Sequence, residues 1–288
     1  MYQEQVISGS LMEDRTLCLT FDDGPGPHTL EIAEYLTNQG IFATFFMAGK
    51  FASSLPDIPA RVRDLGHLIG NHTYDHPDLI GLLSGGGDVA SQITRTDLVI
   101  GNCVDGSTTY FRPPYGRWNV DVASVLNANP AASFGHVGPI HWDIENDWWF
   151  WQQHLSPRDC MENYMQQLST KGRGIVLMHD NSADSCDQRD ANRTLDLARL
   201  LVPVLRGQGF RFLRLDAIPG IDTGGANEGQ SPIPPADLTR PPASPRIQPH
   251  PNLVLLGLLG CRAETIDGAT AWRYLCETES YQHWSFCA

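Results

Sequence analysis

The chain has 288 residues, 41% of them hydrophobic and 18% charged, and a net charge of −13. That is a globular composition with enough apolar material for a sizeable core, and its acidity argues against nucleic acid, whose phosphates call for a basic surface. No run of about 18 apolar residues occurs, so no membrane span is expected.

Short β-type runs alternate with helical patterns through most of the chain. Strands are predicted at 16–21, 43–47, 67–70, 108–111, 140–144, 174–178 and 210–215, and helices at 29–39, 88–103, 120–127, 157–168 and 191–207. The last helix carries an apolar stripe of Leu195, Leu197, Leu200, Leu201, Val204 and Leu205 before Gly207 and Gly209 end it. Seven strands alternating with helices predict a parallel sheet closed into a (β/α) barrel over 12–220, with its chemistry at the strand C-termini. The stretch 221–252 is rich in Pro and Gly and reads as a linker or wrapping segment. The small tail, 253–288, carries Cys261, Cys276 and Cys287 and needs crosslinks or docking to stay ordered. Seven cysteines cannot all pair within one chain. Cys18 reads as a buried thiol, and the other six fall in or near loops and in the tail, which suits an oxidising compartment. Residues 1–10 are polar and show no secretory leader, so the chain is either cytosolic or begins after a removed one.

The residues that carry chemistry sit where these strands end. Strand one closes on Asp22-Asp23-Gly24-Pro25. Two adjacent carboxylates repel unless a cation lies nearby, and a metal on one would leave the other ionised as a base; the alternative is a solvated turn. After the third strand, His72 and His76 stand at i and i+4, on one face of a helical turn, able to meet on one ion. Two imidazoles and one carboxylate suit zinc with an open position, and also iron or cobalt. The fourth strand ends in Arg112-Pro113-Pro114-Tyr115-Gly116. Its rigid backbone can aim an N–H at an oxyanion, and Arg112 can orient a carboxylate; the bland reading is a surface turn with an exposed arginine. At the fifth strand, acids and aromatics mingle from His141 to Trp151, as in a sugar-binding cleft, with Trp142 and Phe150 reading as core. The sixth strand closes on Leu177-Met178-His179-Asp180, which places His179 as a general acid.

Taken together, Thr-Phe-Asp-Asp-Gly-Pro, His-Thr-x-x-His, Arg-Pro-Pro-Tyr-Gly, an Asp-Trp pair and Leu-x-His-Asp resemble the five motifs of the polysaccharide deacetylases of carbohydrate esterase family 4. The resemblance spans roughly 16–220 and implies a distorted (β/α) barrel that hydrolyses acetyl groups on sugars. It implies Asp23, His72 and His76 as metal ligands and Asp22 as the base that deprotonates the attacking water. Arg112 matches the residue that orients the base, and Tyr115 the one whose backbone N–H holds the oxyanion. His179 matches the general acid, and Trp148 and Leu177 the walls of the acetyl pocket. The fourth motif departs from the family pattern: Ile144 stands where an acid is usual. Asp147, followed by Trp148, is assigned as the partner of His179, with Glu145 and Asp143 nearby.

The expected reaction is metal-dependent removal of N-acetyl groups from a GlcNAc-containing polymer or oligosaccharide, with zinc as the metal and cobalt as an alternative. The acidic charge and the lack of an obvious long N-terminal domain lean toward chitin-like substrates over peptidoglycan. An acetylxylan esterase would share every one of these residues. A metal-free amide-opening relative is disfavoured by the complete triad, and a non-enzymatic carbohydrate-binding barrel by the presence of Asp22 and His179. The remaining expectations are a monomer located outside the cell, in the cell wall or in the periplasm.

Overall fold

The computed structural model describes residues 2–104, 108–129 and 134–221, together with strands Glu264–Ile266 and Ala269–Ala271. At its centre is β1 (Thr16–Asp22), buried along its whole length. Around it stand β2 (Thr44–Met47), β3 (Leu68–Asn71), β4 (Thr108–Phe111), β5 (Gly135–Val137), β6 (Gly174–His179) and the short β7 (Arg211–Phe212). The order is β5-β4-β3-β2-β1-β6, with β7 pairing to the start of β1, and every pairing is parallel. Flanking helices make this a distorted (β/α) barrel.

The strand predicted at 140–144 is replaced by a crossing segment. The Ile140 N–H donates to Phe111 O at 2.9 Å on β4, whereas four residues later Leu177 N–H on β6 donates to Ile144 O at 2.9 Å. A segment that leaves one strand and joins another cannot ladder along either, so it forms only isolated bridges, Ile7 with Ile140 and Ile144 with Val176. It spans the gap between β4 and β6 and closes the barrel. The fifth strand is instead β5.

Side-chain alternation sets the two faces. Leu17, Leu19 and Phe21 of β1, Phe45 and Met47 of β2, and Val176 and Met178 of β6 join the outer core with helix residues such as Ile32, Leu36, Leu197 and Leu201. The opposite parity, Cys18, Phe46 and Ile175, fills a second cluster with Ile140 and Tyr110. Thr20 and Asp22 share the parity of Cys18, and Leu177 and His179 that of Ile175. The inner face of β1 and β6 thus turns polar at their C-terminal ends.

The predicted helices form at Thr29–Asn38, Val89–Ile100, Val120–Asn127, Pro157–Lys171 and Thr194–Gly207. Pro157–Lys171 shows why: Ser156 and Asp159 make a capping box, Pro157 occupies the first turn, and Gly172 at φ 71° ends the helix. Five further α-helices among the described residues were not foreseen: Gly49–Ser54, Asp57–Asp64, Leu79–Ser84, Asp147–Gln152 and Cys186–Asp190. None of the described helices is long and apolar enough to cross a membrane.

Cys18, Cys103 and Cys160 are free buried thiols. Cys160 lies inside a helix rather than near a loop, so three of the seven cysteines take no part in crosslinks. The chain divides into two compact units, Met1–Pro234 and Pro235–Ala288. In the second, Glu264–Ile266 and Ala269–Ala271 pair as antiparallel strands. The linker expected at 221–252, past Ile221, and the tail cysteines lie outside the described residues.

Candidate active site

Asp23 leaves β1 in the left-handed region at φ 74°, strained for a residue other than glycine. The next residue has to be glycine, because a Cβ on Gly24 would collide with the Asp180 carboxylate. Asp23 Oδ2 accepts from the Ala183 N–H at 2.8 Å. Its Oδ1 is buried without a hydrogen-bond partner and faces His72 Nε2 at 3.4 Å and His76 Nε2 at 3.3 Å.

The two histidines are not on a helical turn. Residues 72–76 form a loop in which Thr73 and His76 both sit at φ 66°. Side chains hold this shape: Asn71 Oδ1 accepts from Thr73 N–H at 2.8 Å, and Thr73 Oγ1 from His76 N–H at 3.1 Å. Asn71 is itself fixed by donating to Asp97 Oδ1 at 2.8 Å, a carboxylate it shares with buried His136.

His72 Nδ1 donates to Arg112 O at 2.7 Å, and His76 Nδ1 faces Asp184 Oδ1 at 3.1 Å. Each ring therefore spends its Nδ1 proton outward and turns the Nε2 lone pair toward Asp23. Asp23, His72 and His76, all buried, offer one ligand atom apiece within 4.8 Å of one another. Converging lone pairs around an unsatisfied buried carboxylate oxygen are what a divalent cation satisfies, so these residues fit a metal. Burial pushes the Asp23 carboxyl up, but the positive charge of the neighbouring rings when they are protonated, His76 foremost, outweighs it and holds it well below the usual carboxylate range.

Arg112 is fully buried, not the exposed arginine of a surface turn. Its guanidinium donates to Asp22 Oδ1 at 2.7 Å, Thr20 Oγ1 at 2.8 Å, Ile140 O at 3.2 Å and His141 O at 3.1 Å. It also lies over the Phe46 ring, 4.3 Å from the centroid. Asp22 is thereby left with Oδ2 toward the histidines, 3.6 Å from His72 Nε2.

Across the cleft, Asp147 begins the helix Asp147–Gln152, preceded by Asn146 at φ 147°. Its carboxylate is fully buried. Oδ1 faces His179 Nδ1 at 2.8 Å and accepts from Trp148 N–H at 2.9 Å. Oδ2 accepts from His179 N–H at 2.7 Å and Thr194 Oγ1 at 3.3 Å. Burial pulls the His179 imidazolium down, but the charge and hydrogen bond of Asp147, helped by Asp23 and Asp22, lift it to about 10. The other two candidate partners are occupied elsewhere. Glu145 accepts from Trp148 Nε1 at 3.0 Å, and Asp143 accepts from the backbone of Gly9 and Ile175.

These groups open onto a cleft of about 530 Å³ whose walls include Tyr115, Trp148 and Leu177. Tyr115 has φ 58° and lies half-exposed at the rim, Trp148 is similarly exposed, and Leu177 is buried. Phe150 is core, whereas Trp142 packs beside the inner cluster and also lines the cleft.

The polysaccharide deacetylase family model matches residues 10–132. A chitooligosaccharide deacetylase of Azorhizobium caulinodans is 34% identical over 205 residues, covering 68% of this chain and 90% of that protein. The chain belongs to the polysaccharide deacetylase family. A second chitooligosaccharide deacetylase, from Rhizobium leguminosarum, is 32% identical over 70% of this chain and 91% of its own length. A peptidoglycan-N-acetylglucosamine deacetylase of Bacillus cereus is 28% identical over 70% and 67%. Among solved structures, the Bc1960 peptidoglycan N-acetylglucosamine deacetylase aligns with TM-score 0.59 at 25% identity, over 73% of this chain and 90% of that one. A family 4 carbohydrate esterase from Streptomyces lividans aligns with TM-score 0.51 at 28% identity, over 69% and 91%.

This deacetylase brings all ten sequence-predicted site residues to one end of the barrel. Sequence reasoning missed three others. Thr20 shares Arg112 with Asp22, and strand parity two residues before Asp22 was a signal for it. Tyr164 donates to Leu177 O at 2.7 Å and accepts from Asp147 N–H at 3.3 Å, tying the pocket wall to the Asp147 helix. Asp184 touches His76 and Tyr115 from a polar run with no periodicity to single it out.

Proposed function

We propose that the chain is a divalent-metal-dependent N-deacetylase acting on chitin-type oligosaccharides and releasing acetate. The observation that carries the metal dependence is the unpartnered buried Oδ1 of Asp23 facing two imidazole lone pairs. Zinc is the favoured ion for a donor set of two histidines and one carboxylate. Support for a chitin-type substrate comes from relatives named chitooligosaccharide deacetylase, at 30–34% identity over 86–91% of their length, against 27–28% for those named for peptidoglycan.

A bound ion would polarise the acetyl carbonyl and make water acidic enough to attack near neutral pH. The protein's own groups do the rest. Asp22, with Oδ1 pinned by Arg112, accepts the proton of the attacking water on Oδ2. Water oxygen adds to the acetyl carbon, and the Tyr115 backbone N–H steadies the oxyanion. His179, held protonated by Asp147, gives its Nε2 proton to the amide nitrogen as the C–N bond breaks, leaving acetate and a free amine. Trp148 and Leu177 enclose the acetyl methyl.

The test is acetate release from acetylated chitooligosaccharide, peptidoglycan and xylan, before and after verified metal removal. Chelation should abolish activity and zinc or cobalt restore it, and His76→Ala should lose metal and activity together with its circular dichroism unchanged. Full activity in the stripped protein would refute the metal reading, and release from xylan alone the substrate reading.

A further inference from the structure

The polar stretch that follows β6 grips the metal cluster in two places. At Ala183 the backbone N–H fixes Asp23 Oδ2 at 2.8 Å. One residue on, Asp184 spends its two carboxylate oxygens separately. Oδ1 meets His76 Nδ1 at 3.1 Å, and Oδ2 accepts from the Tyr115 hydroxyl at 2.9 Å. The Tyr115 ring stands edge-on to the His76 ring, with centroids 4.7 Å apart. The segment is braced from behind, because Lys50 Nζ donates to Ala183 O at 2.9 Å and Arg189 Nε to Ser182 O at 3.1 Å. Asp184 is thus aimed by its backbone as well as by its partners.

Its exposure separates it from a structural carboxylate. The Asp184 side chain is 48% exposed, against 6% for His76. A half-exposed aspartate contributes little to a core, and water would solvate it at little cost if it were released. Yet both of its oxygens are committed to site residues. An imidazole that gives its outward proton to a carboxylate is fixed in tautomer and ring angle, and its other nitrogen becomes a stronger donor to a cation.

We propose that Asp184 is the positioning residue of this deacetylase, stapling the metal ligand His76 to Tyr115 so that the metal site and the oxyanion site are set by one carboxylate. The inference rests on the metal reading above. It predicts that the staple acts through affinity for the ion before it acts on substrate.

The experiment is competition titration of zinc against a chromogenic chelator for the wild type, Asp184→Ala and Asp184→Asn, with thermal melts of the three metal-free proteins. Asp184→Ala should weaken zinc by about 10- to 100-fold. Asp184→Asn, which keeps one acceptor for His76 Nδ1, should lose less, and the metal-free melts should coincide. At saturating zinc, Asp184→Ala should also lower kcat, because Tyr115 has lost its anchor. Zinc affinity unchanged in Asp184→Ala, with KM alone raised, would overturn the proposal and make Asp184 a substrate contact. A lowered metal-free melt that accounts for the weaker binding would overturn it too. If the wild type itself binds no zinc, the metal reading falls first and takes this inference with it.

Discussion

Replacing Asp147 with asparagine keeps the shape of the side chain and removes one charge. In the native protein the four donors around it, His179 Nδ1–H, His179 N–H, Trp148 N–H and the Thr194 hydroxyl, all find acceptor oxygens. Asparagine offers one oxygen, so an NH₂ must face either the His179 backbone or its ring. The second orientation holds the imidazole in the wrong tautomer. The electrostatic loss is larger still. A unit charge about 4 Å away in an effective dielectric of about 20 stabilises an imidazolium by about 4 kcal/mol, equivalent to about three pH units. That matches most of the rise of His179 from 6.5 to about 10, achieved against burial. In zinc-reconstituted Asp147→Asn, the alkaline limb of kcat should therefore fall by about two to three pH units. Turnover at neutral pH should drop about 10²- to 10⁴-fold, the usual worth of a general acid. The assay is acetate release from chitooligosaccharide across the pH range in which the fold survives. The same shift has a stability signature in the metal-free protein. Because the folded value lies above the unfolded one, its stabilisation is full below pH 6.5 and is lost as pH rises through about 10. Asp147→Asn should flatten that part of the melting profile. A limb that stays in place while turnover falls would show that His179 is not the group behind it.

Asp22→Asn should keep zinc within a few-fold and still lose about 10²- to 10⁴-fold in kcat; unchanged turnover would mean that the two aspartates exchange roles. Trp148→Ala should lower kcat/KM by about 5- to 30-fold, corresponding to about 1–2 kcal/mol of lost apolar contact with the acetyl group. An unaltered kcat/KM would remove Trp148 from the pocket wall.

Much of the site was legible because strand parity and strand ends do most of the positioning. Once 16–21 and 174–178 read as neighbouring buried strands, Asp22 and His179 had to emerge together; they pair in register as Cα partners. The distortions were not legible. A histidine pair at i and i+4 reads as helical, yet the two rings converge on Asp23 through a loop with two left-handed residues, fixed by Asn71 and Asp97 from outside the motif. The helix Asp147–Gln152 is six residues long, too short for apolar periodicity to reveal it, and rich in aromatics that favour strands. Residues 140–144 alternate apolar and polar side chains as a strand does, with Ile140 and Ile144 buried, but that pattern does not encode which neighbour a segment pairs with. Asp184 carries no local signal, since its meaning lies in Tyr115 and His76, 69 and 108 residues away.

Arg112 serves both the site and the closure of the barrel. The same guanidinium that aims Asp22 also grips Ile140 O and His141 O, the carbonyls at which the closing segment meets β4. Its backbone takes part as well, N–H to Asn71 O and C=O from His72 Nδ1. The seam that closes the barrel and the placement of Asp22 thus depend on one side chain. Opening that seam would therefore release Asp22 and His72 together.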